Sequence, residues 1–87
     1  MRIVAVYKQF SDHAREVDEW IHEFEQRSNF TVETLDPEMP DGESFCTARD
    51  ILEYPTIAIV DADGKTYETW KGTPLPVIDE VMGYIVR

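Results

Sequence analysis

A single stretch, ILEYPTIAIVDADGK (residues 51–65), sets the architecture of this chain. Its residues 56–60 are apolar or β-branched, which is typical of a buried strand. An Asp-Gly pair at 63–64 separates this run from KTYETWK (65–71), and such a pair favours a hairpin between antiparallel strands. Pro55 stands directly before the buried run, a place where the missing ladder hydrogen bond of proline is tolerated. The stretch therefore predicts a proline-led core strand, 56–60, that continues through a hairpin into a strand at 65–71.

Two more strands are predicted before this stretch. RIVAVY (2–7) is apolar and β-branched without a helical period, which indicates a buried strand. NFTVETL (29–35) alternates apolar and polar residues and indicates a second strand. A loop is expected at 36–42, because two prolines and a glycine interrupt any regular element there.

The first of three predicted helices spans residues 12–27. Ser11 and Asp12 are both suitable N-cap residues, since their side-chain oxygens can accept hydrogen bonds from the first-turn N–H groups. The apolar residues that follow recur at i, i+3, i+4 and i+7, which defines one buried face of a helix. These residues are Val17, Trp20, Ile21 and Phe24.

Two shorter helices are predicted later in the chain. The second lies within residues 43–52, where the apolar stripe consists of Phe45, Ala48, Ile51 and Leu52. The last begins at Thr73, with Pro74 or Pro76 in its first turn, a position where proline is favoured. Its apolar face consists of Ile78, Val81, Met82 and Ile85.

The predicted order is β-α-β-α-β-β-α, an α/β fold in which three helices cover a four-stranded mixed sheet. The first two strands are separated by a helix, so they should be parallel with a right-handed crossover. The hairpin adds an antiparallel pair to the same sheet. With 87 residues, of which 43% are hydrophobic, the chain can bury one core, and a single domain over 1–87 is predicted.

Charge and composition narrow the classes of partner. The chain has 18 acidic and 8 basic residues, a formal net charge of -10. That balance argues against nucleic acid and against anionic lipid surfaces, both of which attract basic stripes, and it favours a basic protein or peptide. No apolar run approaches the roughly 18 residues that a membrane span requires, so no membrane association is predicted and a cytoplasmic location is expected. The only cysteine, Cys46, excludes an intramolecular disulfide.

This element order and the segment YPTIAIVDADGKTYETWKG (54–72) resemble the thioredoxin and glutaredoxin superfamily. The resemblance implies a thioredoxin-like fold. In that superfamily the equivalent proline is cis, and the residue before it offers backbone hydrogen bonds to a bound extended peptide or thiol ligand. By resemblance, the Tyr54–Pro55 bond would be cis and Tyr54 would face the ligand.

The junction YKQFSDHAREV (7–17) departs from the superfamily at its redox centre. The superfamily carries Cys-x-x-Cys or Cys-x-x-Ser there, and the resemblance places Ser11 at the nucleophile position and Ala14 at the resolving one. A serine hydroxyl has no appreciable anion population at neutral pH, so it needs a general base to react. Consecutive Ser11, Asp12 and His13 point in different directions around a helix start, so their order does not build a catalytic triad. No catalytic residue is therefore predicted.

Cys46 is the remaining candidate for thiol chemistry. On the predicted second helix it groups with Arg49, Asp50 and Glu53 and away from Phe45, so its thiol is expected to be partly exposed. The neighbouring carboxylates should raise the pKa of this thiol and lower its reactivity. The interpretation favoured here is an ordinary helix residue.

No cofactor and no metal are predicted. Lys8 and Tyr54 match two positions that glutaredoxins use for glutathione, but KGTPLPVID (71–79) keeps only Gly72 of the third element. Asp61 and Asp63 lie in a hairpin turn whose glycine comes too early for a calcium loop. Asp18 and His22 lie one helical turn apart but lack further ligands at suitable spacing.

Two classes of function remain. The first is a cytoplasmic, redox-inactive thioredoxin-like module that binds a protein or peptide at the cis-proline surface, with a homodimer as one form of partner. The second is an enzyme: a degenerate thiol-disulfide oxidoreductase acting through Cys46, or a glutathione-dependent transferase. The missing cysteine pair favours the first. Exposed aromatic residues are preferred interface anchors, and a cluster of Phe10 and Tyr54 is a further hypothesis. Trp70 could join that cluster or cover the core from an edge strand, and the core is favoured. The predicted partner-binding residues are Phe10, Ser11, Asp12, His13, Tyr54, Pro55 and Gly72.

Overall fold

A computed structural model describes residues 1–85 and shows seven elements of secondary structure. Along the chain they are β1 (Arg2–Val6), α1 (Ala14–Ser28), β2 (Val32–Leu35), α2 (Pro40–Arg49), β3 (Thr56–Val60), β4 (Thr66–Lys71) and α3 (Ile78–Ile85). The order β-α-β-α-β-β-α confirms the predicted α/β fold. Residues 86 and 87 of the predicted domain lie outside the described residues.

The four strands form one mixed sheet in the order β2-β1-β3-β4. β1 is parallel to β2 and β3 is antiparallel to β4, as the helix crossover and the Asp-Gly turn predict. The structure adds an antiparallel pairing of β1 with β3, which the sequence did not specify. Thr56 lies opposite Val6 on one side and Lys71 on the other. The segments that follow β1, precede β3 and follow β4 therefore meet at the same end of the sheet.

Helices cover both faces of the sheet, and β1 and β3 form its buried centre. On one face, alternate residues of these strands pack with α1 and α3 around Phe24 and Val81. On the other face, Val4, Val6, Ala58 and Val60 pack with α2 and the segment after it. All five residues of β3 are buried, and each fully buried valine or isoleucine stabilises the fold by about 1.5–3 kcal/mol relative to an exposed one. None of the helices within residues 1–85 is long and apolar enough to cross a membrane.

α1 begins at Ala14, two residues later than predicted, and the expected side-chain cap is absent. His13 occupies the N-cap position and makes no capping hydrogen bond through its side chain. The Ser11 hydroxyl donates instead to the carbonyl oxygen of Lys8, because residues 8–11 fold back as a turn before the helix starts. The prediction that Ser11 or Asp12 caps α1 is therefore wrong.

α2 lies earlier in the chain than predicted, and this changes which of its residues are buried. It begins at Pro40, where the missing N–H of proline has no helical partner to lose, so part of the predicted loop 36–42 is helical. The helix buries Gly42, Phe45 and Cys46, while Ala48 and Leu52 are exposed. The predicted partly exposed thiol is wrong: Cys46 is only 5% exposed.

The other predicted boundaries are corrected by a few residues. β2 begins at Val32 and leaves Phe30 at the surface. α3 begins at Ile78, so Pro74 and Pro76 lie in the approach to the helix and not in its first turn. That approach contributes Leu75 to the core face of α1 and α3.

Candidate functional site

The site begins with the turn between β1 and α1. The Ser11 N–H donates to the Lys8 carbonyl oxygen at 3.2 Å, and the Ala14 N–H donates to the Ser11 carbonyl oxygen at 3.2 Å. Phe10 lies within the Lys8–Ser11 turn and is fully exposed. Because the Ser11 hydroxyl is donated to a backbone carbonyl, it is not aligned with a general base, and the turn contains no activated nucleophile.

Asp12 and His13 complete this turn without forming a catalytic arrangement. Asp12 is exposed and His13 is half-buried. The Nε2 atom of His13 is buried and has no hydrogen-bond partner within the described residues. Since His13 does not bond to the Ser11 hydroxyl, the run Ser11-Asp12-His13 has no triad geometry.

The segment before β3 supplies the second part of the site. The Tyr54–Pro55 peptide bond is cis, and so is the Thr73–Pro74 bond. Pro55 is buried, and its carbonyl oxygen accepts a 2.7 Å hydrogen bond from the N–H of Gly72. Gly72 has φ of 75°, a conformation that glycine adopts without strain. This bond ties the residue after β4 to the residue before β3.

Tyr54 connects the two parts. Its ring lies 5.8 Å from the Lys8 ammonium nitrogen, within range of a cation–π contact. The side chain also packs against the apolar cluster between the sheet and α2. Its backbone N–H and C=O make no hydrogen bond with any other group in residues 1–85. The Tyr54 side chain is thus held by the protein, whereas its backbone hydrogen-bonding groups are free.

The phenol of Tyr54 reaches Cys46, a contact that the sequence reading missed. The Tyr54 and Cys46 side chains lie together beside a pocket of about 250 Å³. Burial raises the pKa of the Cys46 thiol, and the neighbouring Tyr54 hydroxyl opposes this shift only in part. The cause is burial and not the neighbouring carboxylates that the sequence suggested. A buried thiol with a raised pKa has little thiolate at neutral pH, which disfavours thiol chemistry.

A signal for the burial of Cys46 was present in the sequence. Gly42, Phe45 and Cys46 have the spacing i, i+3 and i+4 of one helix face, and this face is the buried one. The prolines at 37 and 40 indicate a loop over 36–42 and so obscure this helical spacing. Trp70 packs against the core on the opposite face of the sheet from Tyr54, as the favoured interpretation predicts, so it does not join a cluster with Phe10 and Tyr54.

Comparison with solved structures covers nearly the whole chain. Thioredoxin 1 of Thermosipho africanus TCF52B matches with a TM-score of 0.69 at 16% identity, over 98% of this chain and 90% of that one. Thioredoxin O2 of Arabidopsis thaliana in its oxidised state matches with a TM-score of 0.78 at 13% identity, over 99% and 75%. The chain has the thioredoxin fold. A third match is the structure of the first two thioredoxin domains of Saccharomyces cerevisiae Eps1p, with a TM-score of 0.59 at 16% identity, over 95% and 33%.

No family profile and no curated protein matches the sequence of this thioredoxin-like chain. At identities of 13–16% the structural likeness concerns the fold, and function has to be argued from the site. The single cysteine means that the Cys-x-x-Cys motif is absent. Residues 1–85 contain no group of three or more His, Cys, Asp or Glu side chains placed to hold a metal ion.

Tyr7, the residue after β1, links the sheet to α1 and makes the stability of the fold decrease at high pH. Its hydroxyl donates a 2.6 Å hydrogen bond to Asp18. Burial, together with this bond and the carboxylate charge, raises the pKa of Tyr7 to about 12. The unfolded value is about 10, so the stabilisation from the neutral phenol is complete below about pH 10 and is lost as pH rises towards about 12.

We therefore expect the difference in unfolding free energy between wild type and Tyr7→Phe to shrink between about pH 10 and about pH 12. The phenylalanine variant cannot ionise at this position, so it escapes the loss that the wild type suffers. Urea titrations at each pH measure the difference. A difference that stays constant over this range would show that Tyr7 ionises alike in both states.

Proposed function

We propose that this chain is a redox-inactive thioredoxin-like module that binds an extended peptide segment of a protein partner. The proposed recognition surface consists of Phe10, Ser11, Asp12, His13, Tyr54, Pro55 and Gly72. The observation that carries the proposal is the free backbone N–H and C=O of Tyr54 next to the buried Pro55. In the superfamily that the chain resembles, the residue at this position bonds the backbone of bound peptides.

The unpaired groups of Tyr54 favour a ligand with a backbone of its own. One donor and one acceptor on the same residue match the two groups that an extended peptide presents towards a neighbouring strand. A peptide bound in this way needs few changes in the protein, since the contacts with Lys8 and Cys46 already hold the Tyr54 side chain. Recognition at Tyr54 is therefore assigned to its backbone.

Phe10 supplies an apolar contact next to these groups in the proposal. A fully exposed phenylalanine gains most from burial at an interface, and aromatic residues are common among the side chains that dominate binding energy. Phe10 lies in the Lys8–Ser11 turn, which is closed by hydrogen bonds from the Ser11 N–H and hydroxyl to the Lys8 carbonyl oxygen, so little ordering of the backbone is needed on binding. The exposed Asp12 and the net charge of -10 favour a peptide that carries positive charge.

Redox inactivity is part of the proposal because neither candidate residue has suitable chemistry. The Ser11 hydroxyl is committed to the Lys8 carbonyl oxygen, and the Cys46 thiol is buried with a raised pKa. A lone buried cysteine requires no oxidising compartment, which is compatible with the proposed cytoplasmic location.

Peptide selection from a displayed random library, followed by calorimetric titration of the selected peptides, tests the proposal. We expect Phe10→Ala to weaken the selected peptides by about tenfold, equivalent to about 1.4 kcal/mol. Phe30→Ala is the matched control, because Phe30 is 38% exposed and precedes β2 at the opposite end of the sheet. Hydrogen exchange of the Tyr54 amide should slow in the complex, since a peptide carbonyl would then accept from it.

Two results would contradict the proposal. Equal affinities of the peptides for wild type and Phe10→Ala, together with unchanged hydrogen exchange of the Tyr54 amide, would rule out the proposed recognition surface. Catalysed reduction of insulin disulfides that is lost in Cys46→Ser would instead show that the chain is a thiol-disulfide oxidoreductase acting through Cys46.

A further inference from the structure

A second concave surface lies on α1, outside the residues of the recognition surface. It is a groove of about 340 Å³ between α1 and the segment that leads to α3. Its floor is apolar and is formed by Trp20, Leu75 and Ile78, with Pro74 at the edge. One wall is acidic and consists of Glu16, Glu19 and Glu23. We call this feature the acidic groove.

The acidic wall is a regular array. The three glutamates have the spacing i, i+3 and i+7, which places them on one side of α1 and distributes their carboxylates over roughly 10 Å of helix axis. All three residues are exposed. In an extended peptide, alternate side chains lie about 6.6 Å apart on the same side, so two cationic side chains fit along this length.

The floor is held firmly in place. The Trp20 indole donates a 2.8 Å hydrogen bond to the carbonyl oxygen of Pro76, and its ring stacks on Phe24 at a centroid distance of 5.1 Å. These contacts tie α1 to the approach to α3 and shape the groove before any ligand binds. The methylene stems of lysine and arginine pack on apolar surfaces of this kind while their charged heads remain at the polar edge.

The arginine side chains that already pair with the acidic wall do not prevent a cationic ligand from binding there. Arg15 lies 3.6 Å from the Glu19 carboxylate, and Arg27 lies 3.4 Å from that of Glu23 and also contacts Asp79. Glu16 has no ion pair within the described residues. The pairs of Glu19 and Glu23 are solvent-exposed, and such pairs contribute at most about 1 kcal/mol, so an incoming cation can replace them.

We infer that the acidic groove binds a basic, extended segment of a protein partner, with arginine or lysine stems over Trp20 and Leu75 and their charged heads at Glu16, Glu19 and Glu23. The inference goes beyond the proposed function, because none of these residues belongs to the recognition surface. It identifies the partner by chemistry: positive charges on alternate residues of an extended chain.

An acetylated and amidated heptapeptide of alternating glycine and arginine is the probe. A peptide of the same length with citrulline in place of arginine is the matched neutral control, since it keeps the shape and removes the charge. Titration is followed by calorimetry and by the NMR signals of the indole N–H groups at about 0.15 M salt. We expect the arginine peptide to shift the Trp20 signal, to leave Trp70 unchanged, and to bind more than tenfold tighter than the citrulline peptide.

Two triple variants distinguish binding in the acidic groove from non-specific attraction to the net negative charge of the protein. Glu16→Gln, Glu19→Gln and Glu23→Gln together should weaken the arginine peptide about tenfold. Glu38→Gln, Asp41→Asn and Glu43→Gln remove the same charge from exposed positions on and before α2 and should change the affinity less than about twofold. Equal weakening by both triples, or an unshifted Trp20 signal, would overturn the inference. Phe10→Ala should leave the shift of the Trp20 signal unchanged, because Phe10 does not line the acidic groove, so this result is separate from the test of the recognition surface.

Discussion

Replacing Gly42 with alanine is expected to lower the free energy of unfolding by about 3 kcal/mol. A Cβ atom at this position would lie 1.9 Å from the carbonyl oxygen of Asp36 and 2.5 Å from its carbonyl carbon. Both are backbone atoms, so no side-chain rotation can relieve the overlap. The first turn of α2 would have to move away from the segment after β2, and the burial of Phe45 and Cys46 would loosen with it.

Gly83→Ala is the matched control for this prediction. Gly83 lies in α3, and nothing lies within 4 Å of a Cβ atom built there. Alanine is favoured over glycine inside a helix by about 0.5–1 kcal/mol, so this variant should be slightly more stable than wild type. Urea unfolding followed by tryptophan fluorescence measures both variants. Similar stabilities for Gly42→Ala and wild type would mean that α2 does not pack against Asp36 in this way.

Phe24→Ala is expected to destabilise the fold by about 4 kcal/mol. Phe24 lies on α1, is completely buried against the sheet and α3, and stacks on Trp20 with the ring planes 11° apart. Its removal forfeits apolar burial and leaves a cavity that the fixed Trp20 indole cannot fill. Since a domain of this size has a total stability of about 5–15 kcal/mol, the loss is a large fraction of it.

Phe30→Ala is the same substitution at a surface position and should cost less than about 1 kcal/mol. The side chain of Phe30 is 38% exposed and lies outside both core clusters. Urea titrations should give equal slopes and a lower midpoint for Phe24→Ala than for Phe30→Ala. Comparable losses for the two variants would contradict the assignment of Phe24 to the centre of the core.

The acidic groove and the core share Trp20, so a substitution in the core can also change binding in the groove. Phe24→Ala removes the ring on which the groove floor is stacked, whereas the glutamate substitutions leave the floor intact. Binding should therefore be compared among variants that retain the stability of the wild type. For the same reason, the recognition surface is tested through the exposed Phe10, whose truncation removes no buried contact.

The central elements of the fold were predictable because their signals are local. β3 runs from Thr56 to Val60, as its apolar and β-branched residues indicated, and the Asp-Gly turn joins it to β4. The apolar face of α1 was also found correctly from its 3.6-residue period. These signals act over a few residues, so they can be recognised without knowing how distant parts of the chain pack.

Helix starts were predicted poorly because several arrangements of the same residues satisfy the backbone. Ser11 can accept from the first turn of a helix or donate to the carbonyl oxygen of Lys8, and the tertiary structure adopts the second. Pro40 can end a loop or begin a helix, and close packing of Gly42 against Asp36 accompanies the second. In each case the choice depends on contacts that form only when the elements meet.

The amino-acid sequence alone determined the order of helices and strands along the chain, the proline before the core strand and the absence of a cysteine pair. Each of these depends on residue identity and short-range geometry. The three-dimensional packing specified that Cys46 turns inward, that the Tyr54 phenol reaches it and that the Tyr54 backbone groups stay unpaired. It also brought Trp20 and Leu75 together beneath three glutamates. Such contacts join residues far apart in the chain, and their free energy comes from burial and hydrogen bonding that no local pattern encodes.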